Sequence, residues 1–223
     1  MDYKEKYLKY KKKYIQYKNK YLENVQTEHK PGDSFTSNLI WRRSEKHFLP
    51  GKVDIEIIKS AIINSPSSYG IQPYKVLVIT DQDTKMKLKK ACMNQSQIEE
   101  CYALFIFCAL NNLEKRIDEY VDQTGFKSKK KSMLFYINNS IPNKLEWAKR
   151  QAYIALGFAM AAATEKKIAG CPMEGFEPDD VAKILKLDDD LKPCVLFTVG
   201  RHNPNYDLEK RFRFSDIIQD IKL

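Results

Sequence analysis

The sequence predicts an α+β sandwich. Apolar β-type runs are few, at residues 75–80, 103–110 and 194–199, and they stand among more numerous helical segments without regular βαβ repeats. No glycine-rich dinucleotide fingerprint and no Walker loop is present, so no separate dinucleotide-binding domain is expected. A chain of 223 residues with 43% hydrophobic content is long enough to bury one substantial core.

The elements follow in order. Residues 54–64 read as a helix, with Val53, Ile57, Ile58 and Ala61 on one side. A Pro-Ser-Ser-Tyr-Gly-Ile-Gln-Pro turn at 66–73 leads into the strand at 75–80. Residues 82–93 form a helix capped by Asp81 or Asp83, and a short helix at 95–101 precedes the apolar strand at 103–110. A helix at 113–123 is followed by a polar, basic stretch, 125–131, that reads as a mobile loop. The long helix expected over 144–167 is apolar almost all round at 152–163, which requires burial on most faces and makes it a candidate dimer core. Residues 173–176 turn from a buried strand towards a short helix at 178–187, and the strand at 194–199 completes the set.

The N-terminal segment stands apart. Tyr3, Tyr7, Tyr10, Tyr14, Tyr17 and Tyr21 alternate spacings of four and three, and with Leu8, Ile15 and Leu22 they form one broad stripe of an amphipathic helix whose other face is lysine. Residues 1–24 hold eight lysines against Asp2, Glu5 and Glu23, a balance of +5 that leaves only +4 of the chain's +9 for the rest. No nucleic acid is therefore expected as a partner of the folded body. The stripe leaves three roles open: a coiled coil with an unknown partner, a helix lying on an anionic membrane, or a solvated arm. With Pro31-Gly32 interrupting the helix, the expected organisation is a leader at 1–26, a linker at 27–34 and a domain at 35–223.

Other chemistries leave no trace. The longest uncharged apolar run, 152–163, has twelve residues, too few to span a bilayer, and no signal or transit peptide is recognisable. Cys92, Cys101, Cys108, Cys171 and Cys194 are odd in number, lack a C-x-x-C pair and mostly sit in apolar runs, so they read as reduced, buried thiols of a cytoplasmic protein. His29, His47 and His202 have no metal-ligand spacing, and no metal is expected.

Five short motifs occur in succession: Arg42-Arg43-Ser44-Glu45-Lys46, the stretch from Ser65 to Pro73, Asn94 with Gln97, Pro172-Met173-Glu174-Gly175-Phe176, and Arg211-Phe212-Arg213. Taken singly they are ordinary. The turn is a common Ser/Gly/Pro connection that can also present backbone N–H groups and two hydroxyls to a ligand, lone arginines are solvated charges, and Gln97 is an exposed helix residue. As an ordered set, spanning about residues 40–214, they resemble the FMN-dependent nitroreductase family. The Lys/Tyr leader resembles N-terminal segments carried by proteins of giant DNA viruses, which implies a viral gene product in host cytoplasm or virion.

That resemblance implies a three-layer sandwich with a mixed, mainly antiparallel sheet flanked by helices, and a homodimer with FMN at the interface. It implies that Arg42, Arg211 and Arg213, with Arg43 beside them and Ser44 adding a hydroxyl, face the FMN phosphate. Lys46 matches the lysine near flavin N1 and the C2 carbonyl, where a cation favours the reduced, anionic ring. Asn94 would read the pyrimidine edge, and Glu174-Gly175 the region of N5, where glycine lets a backbone N–H approach. Pro66, Ser67 and Ser68 would touch FMN held mainly by the other subunit, and Gln97 stands where well-known bacterial members carry a lysine. The implied activity is ping-pong hydride transfer from NADH or NADPH through FMN to a small nitroaromatic, quinone or flavin-type acceptor. A catalytically weak flavin-binding or virion-associated structural protein is the alternative.

Overall fold

Strand β2 (Ala103–Leu110) is buried at all of its positions, and this makes it the centre of the architecture. Successive side chains point to opposite faces of a sheet, so a strand without a polar position must have cover on both sides. The structure, a computed structural model, describes residues 34–205 and 217–221. The expectations for the leader, for residues 27–33 of the linker and for Arg211 and Arg213 fall outside the described residues.

Residues up to Trp41 and residues from Arg42 onwards are two compact units. The described part of the first is a single helix, α1 (Ser34–Trp41), which begins at the last residue assigned to the linker.

In the second unit, α2 (Glu56–Ile63) leads through the turn at 66–73 to β1 (Tyr74–Ile79). Helices α3 (Gln82–Ala91) and α4 (Gln97–Glu100) precede β2. Of the two candidate caps, Asp81 is the one that accepts from the Thr84 N–H, at 2.8 Å. Helix α5 (Leu113–Thr124) ends on Gly125, whose φ of 72° only glycine adopts without strain. Then come α6 (Lys127–Asn139), α7 (Lys144–Glu165), β3 (Ile168–Met173), α8 (Pro178–Leu185) and β4 (Leu191–Arg201).

The strands form one antiparallel sheet in the order β1-β2-β4-β3. Leu104, Ile106, Cys108 and Leu110 pack with Leu88 of α3, Ile98 of α4 and Val181 of α8, while Ala103, Phe105 and Phe107 pack with Ile58 of α2 and Ala152, Ala155 and Ala159 of α7. Helices thus cover both faces, as the sandwich expectation requires. Opposite Cys108 the register of β4 slips at Pro193, which has no N–H to donate, and Cys194 is the extra residue of the resulting bulge.

One expectation is corrected. Residues 125–131 are not a loop: α6 starts at Lys127, because Met133 and Ile137, one turn apart, are buried beside Ile117 and Val121 and anchor the basic first turns as helix. The apolar part of α7 keeps one face open within this chain. Its inner face is covered, but Tyr153, Ile154 and Phe158 are 38%, 40% and 45% exposed. Among the described residues, no helix is long and apolar enough to cross a membrane.

Candidate functional site

The Arg-x-Ser-x-Lys motif works through a period of two. Ser44 forms a parallel bridge to Gly170 of β3 and Leu49 an antiparallel one to Arg201 of β4, so the intervening chain runs extended along the sheet. In extended backbone Arg42, Ser44 and Lys46 share one face, and Arg43, Glu45 and His47 the other.

The segment is seated by exclusion as much as by bonding. A Cβ on Gly170 would lie 2.6 Å from the Phe197 ring and 2.9 Å from the Thr198 carbonyl oxygen, and a Cβ on Gly200 would lie 2.7 Å from the Phe48 ring. Both glycines therefore let neighbouring groups close in. Between Ser44 and Lys46, Glu45 is 2% exposed, and its carboxylate accepts from His202 Nδ1 and from the Asn203 N–H, each at 2.6 Å. Such charge-assisted bonds hold the motif to the end of β4.

Cys171 reports what the other face does. Burial pushes its thiol upward, against the pull of Lys46, then of Arg42, and against a hydrogen bond from Ser44. The structure thus brings Arg42, Ser44 and Lys46 together at one residue of β3. Ser44 and Lys46 are exposed and Arg42 is half-buried, so this face carries two cations and a hydroxyl, the groups that suit an anionic ligand. Arg43 turns back, with Nη1 donating to the Arg42 carbonyl at 3.0 Å.

Three residues further along β3 lies the turn at Glu174 and Gly175, about 10 Å away at the rise of a strand. The Phe176 N–H closes it on the Glu174 carbonyl at 2.9 Å, and the Glu177 N–H donates to Ala91 at the end of α3. The Tyr153 hydroxyl donates to Glu174 Oε1 at 2.5 Å, and Gln95 Nε2 donates to the Gly175 carbonyl at 2.7 Å. Burial, then the Glu174 hydrogen bond, raise the Tyr153 phenol well above its usual range, so it remains a donor at ordinary pH.

Asn94 is exposed with φ at 53°, next to Met93 at 54°, a left-handed pair that lifts the amide into solvent. Gln97 is the surprise. The exposed-helix reading is overturned, for it is 3% exposed, with Nε2 donating to Gln95 Oε1 at 2.9 Å and lying 3.7 Å from Met173 Sδ. Ser67 and Ser68 are anchored elsewhere: the Ser67 hydroxyl accepts from the Gln72 N–H, and the Ser68 N–H donates to Gln151 of α7. Pro66 beside them is exposed. Among the described residues, no cluster of three or more His, Cys, Asp or Glu side chains is placed to hold a metal.

Sequence reading missed Gln95, Tyr153, Cys171 and Glu45 as members of this site. Gln95, Cys171 and Glu45 adjoin or lie inside quoted motifs, so their neighbours were the available signal. Tyr153 had none, lying in an apolar helix 21 residues from its partner.

Comparison with known proteins places the fold and the family. Residues 39–201 match the Nitroreductase family. A Staphylococcus haemolyticus protein, provisionally named an NAD(P)H nitroreductase, is 33% identical over 165 residues, covering 65% of this chain and 75% of its own. In fold, a Bacillus subtilis protein provisionally named a nitroreductase superposes with a TM-score of 0.73 at 23% identity, covering 84% of this chain and 98% of its own. An Exiguobacterium sibiricum protein, provisionally named a nitroreductase and crystallised with FMN, gives 0.68 at 21% identity, covering 83% and 96%.

Proposed function

The chain belongs to the nitroreductase family, and from that premise we propose that it is an FMN-dependent NAD(P)H oxidoreductase acting on small nitroaromatic, quinone or flavin-type acceptors. One observation carries the reading: Arg42, Ser44 and Lys46 converge at Cys171, and the Glu174–Gly175 turn stands at the end of the same strand. That donor set suits FMN, which needs forked donors for a phosphate dianion, a cation near the ring and a close backbone approach.

When bound, FMN supplies two-electron chemistry between the nicotinamide donor and the acceptor. The chain's own residues bind and orient. Arg42 and Ser44 would hold the phosphate, with Arg211 and Arg213 assigned to the same end, and Arg43, turned back on the Arg42 carbonyl, would support Arg42. Lys46 lends positive potential to the ring and Asn94 offers an amide that both donates and accepts. Gly175, lacking a Cβ, lets its N–H come close. Donor and acceptor would take turns at the one site these residues form, the order called ping-pong.

A homodimer belongs to this reading. The exposed Tyr153, Ile154 and Phe158 of α7, and Ile217, Ile218 and Ile221 beyond the last strand, form apolar surface that a second copy would cover, while Pro66, Ser67 and Ser68 would serve the partner's cofactor. Residues 1–26 are assigned to location or partner capture in a giant-virus gene product, in host cytoplasm or virion. The leader also supports a second reading, a weakly catalytic flavin-binding structural protein.

The deciding experiment is the visible spectrum of the purified protein, followed by anaerobic addition of NADH or NADPH. A yellow protein bleached by either donor, with parallel double-reciprocal lines against a quinone, is expected. A colourless protein that FMN does not reconstitute would remove the reading, and a yellow one that neither donor bleaches would favour the structural alternative.

A further inference from the structure

The Glu174–Gly175 turn is gripped from two sides by residues with no assigned role. Gln95 Nε2 faces two carbonyls, those of Gly175 at 2.7 Å and Cys92 at 3.1 Å. Carbonyls only accept, so the amide orientation of Gln95 is determined: its nitrogen donates and its Oε1 points away, able only to accept. The amide of Gln97 meets that need at 2.9 Å. A chain of side-chain hydrogen bonds thus runs from buried Gln97 through Gln95 to the Gly175 carbonyl. From the opposite direction, Tyr153 of α7 holds the Glu174 carboxylate.

The contact is close. A Cβ at Gly175 would lie 3.2 Å from Gln95 Nε2 and 3.4 Å from Met93 Sδ, so the missing side chain and the glutamine fit each other. The peptide that carries the Gly175 N–H is held at its own carbonyl by the Phe176 N–H, at 2.9 Å, and the holds on the Gly175 carbonyl and the Glu174 side chain restrain the turn on either side of it.

We propose that Gln95 and Tyr153 are positioning residues that clamp this turn, with Gln97 acting through Gln95, and that together they aim the Gly175 N–H at the cofactor; this rests on the FMN reading above. It also gives Gln97 a purpose other than touching the flavin. Small misplacements at a reacting centre are costly, so loss of either clamp is felt in the chemistry before it is felt in the fold.

The test uses the full-length protein with bound FMN, in four variants: Gln95→Ala, Gln97→Leu, the double variant, and Tyr153→Phe. The readouts are flavin reduction by NADH in a single turnover, the flavin midpoint potential, the visible band and FMN dissociation. Gln95→Ala is expected to slow reduction about tenfold and to move the band and the potential, with FMN retained within about threefold. The double variant should match Gln95→Ala alone, because Gln97 acts through the residue already removed. Tyr153→Phe keeps the ring and its packing, so it reads the second clamp even if a glutamine variant misfolds; about fivefold slower reduction is expected. Effects of Gln95 and Gln97 that multiply would place Gln97 on the flavin itself and overturn the relay. Wild-type rate, band and potential in both Gln95→Ala and Tyr153→Phe would overturn the clamp. A wild-type protein without flavin fails the reading beneath, a result distinguishable from either.

Discussion

The two ends of β3 are built from different materials. At Gly170 and Cys171 the Arg42–Lys46 motif is seated by backbone pairing, the Ser44–Gly170 bridge and the Glu45 N–H on the Gly170 carbonyl, beside a strand packed too closely for a Cβ at Gly170, with a buried carboxylate as its bolt. At Glu174 and Gly175 the chain is held by side-chain hydrogen bonds from Tyr153 and Gln95, both reaching in from other elements. Backbone packing yields little before something must unfold, whereas a side-chain bond can be removed with its surroundings intact. One end should therefore register substitution as lost stability and the other as lost chemistry.

The sharpest contrast is between two glycines. Gly170→Ala drives a methyl into the Phe197 ring and the Thr198 carbonyl and should cost about 3 kcal/mol in denaturant unfolding. Gly175→Ala meets only the far end of Gln95 and the Met93 sulfur, so it should unfold within about 0.5 kcal/mol of wild type while slowing flavin reduction. Equal losses of stability would erase the distinction. Next in size is Glu45→Ala, which strips the Asn203 N–H of its buried carboxylate and should cost about 2 kcal/mol, with weaker FMN retention. Unchanged stability would mean that the bolt holds nothing.

Within the cation face itself a division is expected. Lys46→Ala should slow flavin reduction about tenfold and leave FMN affinity within about threefold, since an exposed ammonium is partly screened by solvent. Arg42→Ala should do the reverse. Identical profiles for the two, measured by fluorescence titration and stopped flow, would merge their roles.

The smallest effect concerns thiols. Burial pushes Cys101 and Cys108 from the ordinary 9.0 up to about 12, and Cys92 and Cys194 to about 11. Groups whose folded value is raised contribute stability that is intact below the unfolded value and is lost as pH rises towards the folded one. Unfolding midpoints should thus fall as pH climbs above 9.0, and thiol reagents at neutral pH should label the buried Cys92, Cys101 and Cys108 only after denaturant is added. Rapid labelling of native protein would contradict their burial.

Much of this was legible locally. The strand at 103–110 announced itself because eight apolar residues in a row, rich in aromatics, need cover on two faces. Arg42, Ser44 and Lys46 were legible because their spacing is the strand period. The stretch 125–131 was misread because its lysines carry no pattern of their own, and the anchors that make it helical, Met133 and Ile137, lie beyond it. Gln97 had two readings, an exposed helix residue or a flavin neighbour where relatives carry a lysine, and the first fails for a reason outside its own segment: the acceptor that draws it inward belongs to Gln95, and the sulfur beside it is 76 residues away.

The sequence by itself determined most of the elements and the ordered motifs, since propensity, capping and side-chain period act over a few residues and are written in them. The tertiary structure alone decided which face of α7 is covered, since Ala155 and Phe158 are equally apolar and only the sheet behind one of them tells them apart. It alone also decided that Tyr153 and Gln95 meet the turn at Glu174 and Gly175. Burial and hydrogen bonding depend on what stands opposite, and in a folded chain what stands opposite is set by residues far away in sequence.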